Sequence, residues 1–152
     1  MAQGTVTMFE EFLASLGLAE FNLNTDAYHI ALLTSVVTPT AADADPGMHA
    51  SRTTSYLGSE IATAGNYSQG GGDITNTWGE DAGVGKFDGA DHTILAQHAS
   101  NPTEVRWGII YNFTDTDKKA IGFIDLGSNY NASTGDIIVT WAAGGIYTFT
   151  IS

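Results

Sequence analysis

Four histidines, His29, His49, His92 and His98, are the residues best suited to bind a metal or move a proton near neutral pH. They form no H-x-H or H-E-x-x-H, and no carboxylates cluster beside them at ligand spacing, so no metal site is expected. His29 alternates with apolar neighbours in an extended stretch and is expected to be satisfied and half-buried. Two D-x-D pairs, Asp43 with Asp45 and Asp115 with Asp117, have the oxygen chemistry for calcium. Neither is followed by the glycine and distant glutamate of an EF-hand loop. Turn formation accounts for them, because aspartate carboxylates accept bonds from nearby backbone amides. Gly83-Val84-Gly85-Lys86 fails as a phosphate loop, since Glu80 stands five residues before Gly85 and Phe87, not Ser or Thr, follows Lys86.

Covalent catalysis has little to work with. The chain has no cysteine, which removes disulfides, thiolate chemistry and cysteine zinc sites, and no serine sits in G-x-S-x-G. Paired carboxylates beside Trp78, Trp107 and Trp141 have the ingredients for sugar hydrolysis. The tryptophans lie in strand patterns, however, where core packing is the more frequent use. No catalytic residue, cofactor or metal is expected, and the chain is not expected to be an enzyme.

The elements that would position any site read as mainly β: an antiparallel sandwich or barrel with one short N-terminal helix. In EVRWGIIYN, Val105, Trp107, Ile109 and Tyr111 fall on one side of a period-two ribbon, with Glu104, Arg106, Gly108 and Asn112 on the other. One face is thus apolar and the other mixed. AIGFIDLG, IIVTWA and IYTFTI follow, the last two hinged at Gly144-Gly145, so residues 104–151 are expected to form a meander of hairpins. Upstream, YHIALLTS (28–35) is apolar on both faces and suits a central strand; EIATAGNYS, ITNTWGE, GKFDGAD and HTILAQ read as further short strands. Thr7-Met8-Phe9-Glu10 matches a capping box that would open a helix over 7–17, with Phe9, Phe12, Leu13 and Leu16 as its apolar stripe and Gly17 as its left-handed cap.

A chain of 152 residues with 43% hydrophobic content is expected to be a single domain, residues 7–152, preceded by a polar arm, residues 1–6. No apolar run reaches the roughly 18 residues a membrane helix needs, and no basic-then-apolar leader opens the sequence, so membrane association is not expected and synthesis in the cytosol is. The N-x-S/T matches at Asn66, Asn112 and Asn131 then read as chance. Seventeen acids against five bases give a charge of −12, which repels a phosphate backbone and argues against nucleic-acid binding. Residues 1–100 hold twelve of the acids and only Arg52 and Lys86 as bases, so the acidic surface belongs mostly there and suits a basic partner.

The opening GTVTMFEEFLASLG, the YHIALLTS strand, the Thr-Pro-Thr-Ala-Ala-Asp loop and the closing RWGIIYNFTDTDKKAIGFIDLG and GDIIVTWAAGGIYTFTI resemble small virion proteins of tailed bacteriophages. The resemblance covers both ends of the chain, and its motifs are structural rather than catalytic. It implies a decoration (cement) protein on the virion's capsid surface, made in the host cytoplasm, that binds and stabilises the assembled head. The implied partners are the major capsid protein and neighbouring copies of the chain, a trimer being favoured. The expected capsid contacts are the arm, Met1, Ala2, Gln3, Gly4, Thr5 and Val6, which would add a strand to a neighbour, and the long polar loop 38–55, through Thr38, Pro39, Asp43, Asp45, Pro46 and Arg52. A tail-associated structural protein, or a receptor- or carbohydrate-binding β-sandwich, is the alternative. Exposed aromatics such as Tyr56, Tyr67 and Tyr130 clustering on one face would distinguish the sugar-binding form.

Overall fold

Strand-forming residues occur in short runs broken by glycine and polar turns, and residues 5–150, which this computed structural model describes, accordingly form twelve strands, one α-helix and a single 3-10 turn at Leu57–Ser59. In chain order these are β1 (Val6–Met8), α1 (Glu10–Gly17), β2 (Tyr28–Leu33), β3 (Pro46–Gly47), β4 (Thr54–Ser55), β5 (Gly72–Asp73) and β6 (Asn76–Asp81). There follow β7 (Val84–Gly89), β8 (His92–Leu95), β9 (Val105–Asn112), β10 (Ala120–Tyr130), β11 (Ile137–Val139) and β12 (Tyr147–Thr150). With 43% strand and 8% helix the fold is mainly β, as the sequence predicts, and among the described residues the sheets close into no barrel. All ladders are antiparallel except the two-residue β3–β4 pair.

The main sheet has the order β1-β10-β9-β2-β5, so β9 is central and β2 sits beside it, with Ile109 opposite Ala31 and Phe123. Period-two alternation sorts most side chains of β2 and β9 into two cores, while Leu32 and Val105, the latter expected beside Trp107, join a third with Ile61, Tyr67, Leu95 and Ile137. Ile30 and Ile110 pack toward Phe87 and Ile146, on the side of the three-stranded sheet β12-β7-β6. Ala31, Leu33, Trp107, Ile109 and Tyr111 pack toward Phe9, Met48 and Tyr56 on the other. The face of β9 that the sequence marks as mixed is therefore covered as well: Gly108 and Asn112 are buried. Gly108 is small because Ile30 lies across it; a Cβ there would meet Ile30 Cδ1 at 2.9 Å.

The expected closing meander is corrected. Only β9 and β10 form a hairpin pair; β11 crosses to β8, with Ile137 opposite Leu95, and β12 crosses to β7, with Phe149 opposite Gly85. The physical reason is at the sheet edge, where β1 already occupies the outer side of β10, Thr7 opposite Phe123. The same pairing overturns the capping box. Thr7 is extended and committed to the ladder, the helix begins at Glu10, and its N-cap is Phe9 with no side-chain cap bond. Glu10 and Glu11 in the first turn suit the positive end of the helix dipole. The left-handed residue after the helix is Ala19 (φ 58°) rather than Gly17, and Leu13, expected on the buried stripe, is 57% exposed.

Two further expectations change. Residues 60–68 form no strand but a loop with isolated bridges, Leu33 to Glu60 and Ala64 to Tyr67. Val6 is not part of a free arm, since it pairs with Ile124 in the chain's own sheet. Thr5 is exposed at the start of that strand, while Met1, Ala2, Gln3 and Gly4 lie outside the described residues.

Candidate interaction surface

The loop 38–55 is built rather than loose. The Glu10 amide donates to Ala41 O at 2.9 Å and the Asp45 amide to Glu11 Oε2 at 2.7 Å, which clips the loop to the start of α1. At its other side the Met48 amide donates to Lys118 O at 2.9 Å, in the turn between β9 and β10. Arg52, its side chain 10% exposed, joins the two regions: it pairs with Asp45 and lies 3.8 Å from Asp117. Ser51 Oγ donates to the same Asp117 at 3.2 Å. The middle of the loop, Pro46, Gly47 and Met48, is buried, which corrects the reading of an exposed segment. Met48 reaches the core around Tyr56 and Trp107, and Gly47 leaves room for Arg52, whose Cγ would lie 2.8 Å from an added Cβ.

Of the six loop residues marked as contacts, Thr38 is exposed, Pro39 and Pro46 are buried, and Asp43, Asp45 and Arg52 are half-buried and bonded inside the chain. Asp43 accepts from the Thr40 amide at 3.0 Å, the Thr40 hydroxyl at 2.6 Å and the Tyr56 hydroxyl. Burial pushes its carboxyl up, but the bonds from Thr40 and Tyr56 outweigh that and hold it below the ordinary aspartate range. The D-x-D oxygens are thus occupied by protein donors. Asp115 likewise accepts the Lys119 amide at 3.1 Å.

The histidines are dispersed. His29 is half-buried as expected, with Nδ1 3.1 Å from Gly70 O and its ring stacked on Phe113 at 3.8 Å. His49 Nδ1 lies 2.8 Å from Ser51 Oγ, and His98 Nδ1 accepts the Ser100 amide at 3.1 Å. Gly83 serves a turn, not a phosphate: Ala82 and Gly83 (φ 52° and 83°) close the β6–β7 hairpin. The three tyrosines form no exposed face, because Tyr56 and Tyr67 are buried and Tyr130 is half-buried.

The few basic side chains are all turned to the chain's own use. All five basic side chains are engaged within the chain: Arg52 as above, Lys86 with Asp88 at 2.6 Å, Arg106 with Asp125 at 2.9 Å and Lys119 with Glu20 at 2.7 Å. Lys118 donates to Phe113 O and lies 4.3 Å over the Phe113 ring. Five of the seventeen carboxylates enter these ion pairs, which leaves twelve with none among the described residues. Any charged partner therefore meets an anionic surface whose cations are already spent.

Two apolar hollows open among the described residues. One, about 520 Å³, lies between the main sheet (Ile30, Leu32, Ile124) and Ile137, Val139 and Trp141; no ionisable side chain lines it. The other, about 590 Å³, is a shallow groove between the end of α1 (Leu16), Phe21, Leu23, Trp78 and Phe149. Here sequence reasoning misplaced Trp78. It is 36% exposed on β6, five of whose six residues are exposed. The signal was present: in NTWGED the tryptophan is the one large apolar residue, too little to cover a strand buried on either face. Comparison with protein-family models, with curated proteins and with solved structures finds no match to the chain.

Proposed function

We propose that this chain is a capsid decoration (cement) protein of a tailed phage, bound to the outside of the assembled head. The observation that carries the reading is the cross-tied loop 38–55, fixed to α1 and to the β9–β10 turn before any partner arrives. A surface ordered in advance avoids about 0.5–1.5 kcal/mol of ordering cost for each long side chain held at an interface. The sequence likeness supports the same reading, since the two chain ends that resemble phage virion proteins supply β1, α1, β9 and β10. The anionic exterior suits a basic patch on a capsid protein, and a small module repeated at many equivalent lattice sites stabilises the shell by number. In this reading Thr38 and its exposed neighbours make the contact, while buried Pro39 and Pro46 shape it from beneath. Neighbouring copies, as a trimer, complete each site.

Purified protein mixed with undecorated heads is the test. Co-sedimentation with heads and a higher temperature of DNA release are expected, because a ligand that binds only the assembled state stabilises it by mass action. Binding to isolated tails alone would replace this reading with the tail-associated one. Deleting only Met1 to Gly4, which spares the β1 ladder, tests the arm separately.

A further inference from the structure

The sheet β12-β7-β6 ends at β6, which is bonded to β7 on one side and, among the described residues, to no backbone on the other. Register decides which groups are free. In a hairpin with a two-residue turn the flanking residues, Asp81 and Val84, bond each other, so Gly79 and Thr77 also face β7. The amide and carbonyl groups of Trp78 and Glu80 then point outward. Their side chains share one face of the strand, being two residues apart.

That face is furnished. The Trp78 indole lies on Gly85, where an added Cβ would come within 2.8 Å of the ring, and meets Phe149 edge-on at 5.7 Å. Beside it runs the groove formed with Leu16, Phe21 and Leu23. Leu18, at the end of α1, is 73% exposed. Two residues along the strand stands Glu80, which accepts the Gly83 amide at 2.6 Å through Oε1 but enters no ion pair; Asp81 follows it, and the cation across the ladder, Lys86, is already held by Asp88 at 2.6 Å. An open edge is a hazard that proteins blunt with charge. Here the charge is of one sign, on a chain of net −12, so it disfavours a second copy and favours a cationic strand.

We propose that β6 is a docking edge for an extended segment of another protein, which adds to the sheet as a fourth strand. The segment carries an apolar side chain that enters the groove beside Trp78 and, two residues away, a lysine or arginine that meets Glu80. Main-chain bonds to Trp78 and Glu80 supply the attachment, and the alternate side chains select the sequence. The inference does not rest on the capsid reading; it specifies the partner by chemistry wherever the chain resides.

The probe is a fluorescein-labelled octapeptide, Thr-Lys-Thr-Leu-Thr-Lys-Thr-Thr, with two companions: one with glutamate for each lysine, and one N-methylated at the amides of the leucine and both lysines, the groups that an added antiparallel strand turns toward β6. Polarisation titration is expected to show binding of the first alone, weakened at least tenfold by Trp78→Ala and by Glu80→Lys. Both positions are on an exposed strand, and melting curves confirm that the variants fold. Amide exchange is expected to slow at Trp78 and Glu80 and not at Thr77 or Gly79. Equal binding of the N-methylated peptide, or no protection at those two amides, would reduce the effect to diffuse charge attraction and overturn the proposal. A dimer by sedimentation that Trp78→Ala abolishes would overturn it too, in favour of a second copy at the edge.

Discussion

The Tyr67 hydroxyl donates to Glu60 Oε1 at 2.7 Å while accepting the Leu32 amide at 3.0 Å, and so ties a buried carboxylate to a core strand. The Gly70 amide donates to the same carboxylate oxygen at 2.6 Å, and Gly70 O in turn accepts the Tyr111 hydroxyl at 2.6 Å. Residues 60–72, which form no ladder of their own beyond bridges and β5, hang on the main sheet through this network. Burial raises the Glu60 carboxyl; the bonds from Tyr67 and Gly70 pull the other way and do not cancel it.

A raised folded-state value fixes the sign of a pH effect. Ionised Glu60 is penalised in the folded state and not in the unfolded one, so its contribution is fully present below the ordinary glutamate range and is lost as pH rises through the raised value. Glu60→Gln keeps the acceptor oxygen and cannot ionise. The melting temperature of the native chain relative to E60Q is expected to fall as pH rises above the ordinary glutamate range and through the raised value. Calorimetry across that range checks it; a gap that widens in favour of glutamate would show that the bonds outweigh burial.

Arg52→Gln is expected to loosen the loop 38–55 and to cost about 1–3 kcal/mol, the penalty for leaving charge partners half-buried and unpaired. The upper end of a buried pair is not reached, because the Asp45 and Asp117 side chains remain 37% and 50% exposed. Hydrogen exchange should accelerate at the Met48 and Tyr56 amides, bonded to Lys118 O and Gly47 O, and stay unchanged at the β2–β9 ladder. Uniform acceleration would mean that Arg52 supports the whole domain rather than the loop.

The fold class was legible because strand-type residues recur in short runs: β9 puts Trp107 and Ile109 on one face, and β2, apolar on both, gives Ile30 to one core and Ala31 to the other. Strand partners were not. Whether β11 follows β10 or crosses to β8 depends on β1 filling the edge of β10, a contact some 115 residues distant in sequence that no local pattern encodes. The loop 38–55 was located by its prolines and its want of large apolar residues, yet its rigidity rests on Glu11 and Asp117, which lie outside it. Trp78 was misread for the opposite reason: a large aromatic argues for burial only when its neighbours are apolar too.

Two left-handed glycines separate conformational strain from space. Gly83 (φ 83°) has nothing within 4 Å of an added Cβ, so Gly83→Ala should cost only the left-handed penalty of about 1–2 kcal/mol. Gly71 (φ 68°) would place a Cβ 2.0 Å from Ile30 O, in the backbone of β2. Gly71→Ala is expected to cost roughly 3 kcal/mol or more, because a core strand must move. Urea unfolding of both variants gives the comparison, and similar losses would refute the close approach of residue 71 to β2.

The same contrast of burial separates two tryptophans that sequence pattern treats alike. Trp107 is 7% exposed, meets Phe123 at 6.1 Å and carries the Arg106 guanidinium 4.8 Å from its ring centre. Trp107→Ala is expected to cost about 3–5 kcal/mol, the range for emptying an aromatic site in a core. Trp141, which the pattern also assigns to the core, is half-buried and lies beyond the end of β11. It rests on Gly89 and donates Nε1–H to Ala90 O at 3.2 Å, so Trp141→Ala gives up part of an aromatic surface and one hydrogen bond, about 1–2 kcal/mol. Tryptophan emission sharpens the test. Removing Trp107 should shift the native spectrum to the red by deleting its most buried indole, whereas removing Trp141 should leave the blue component in place; the reverse order would place the two indoles in each other's environments.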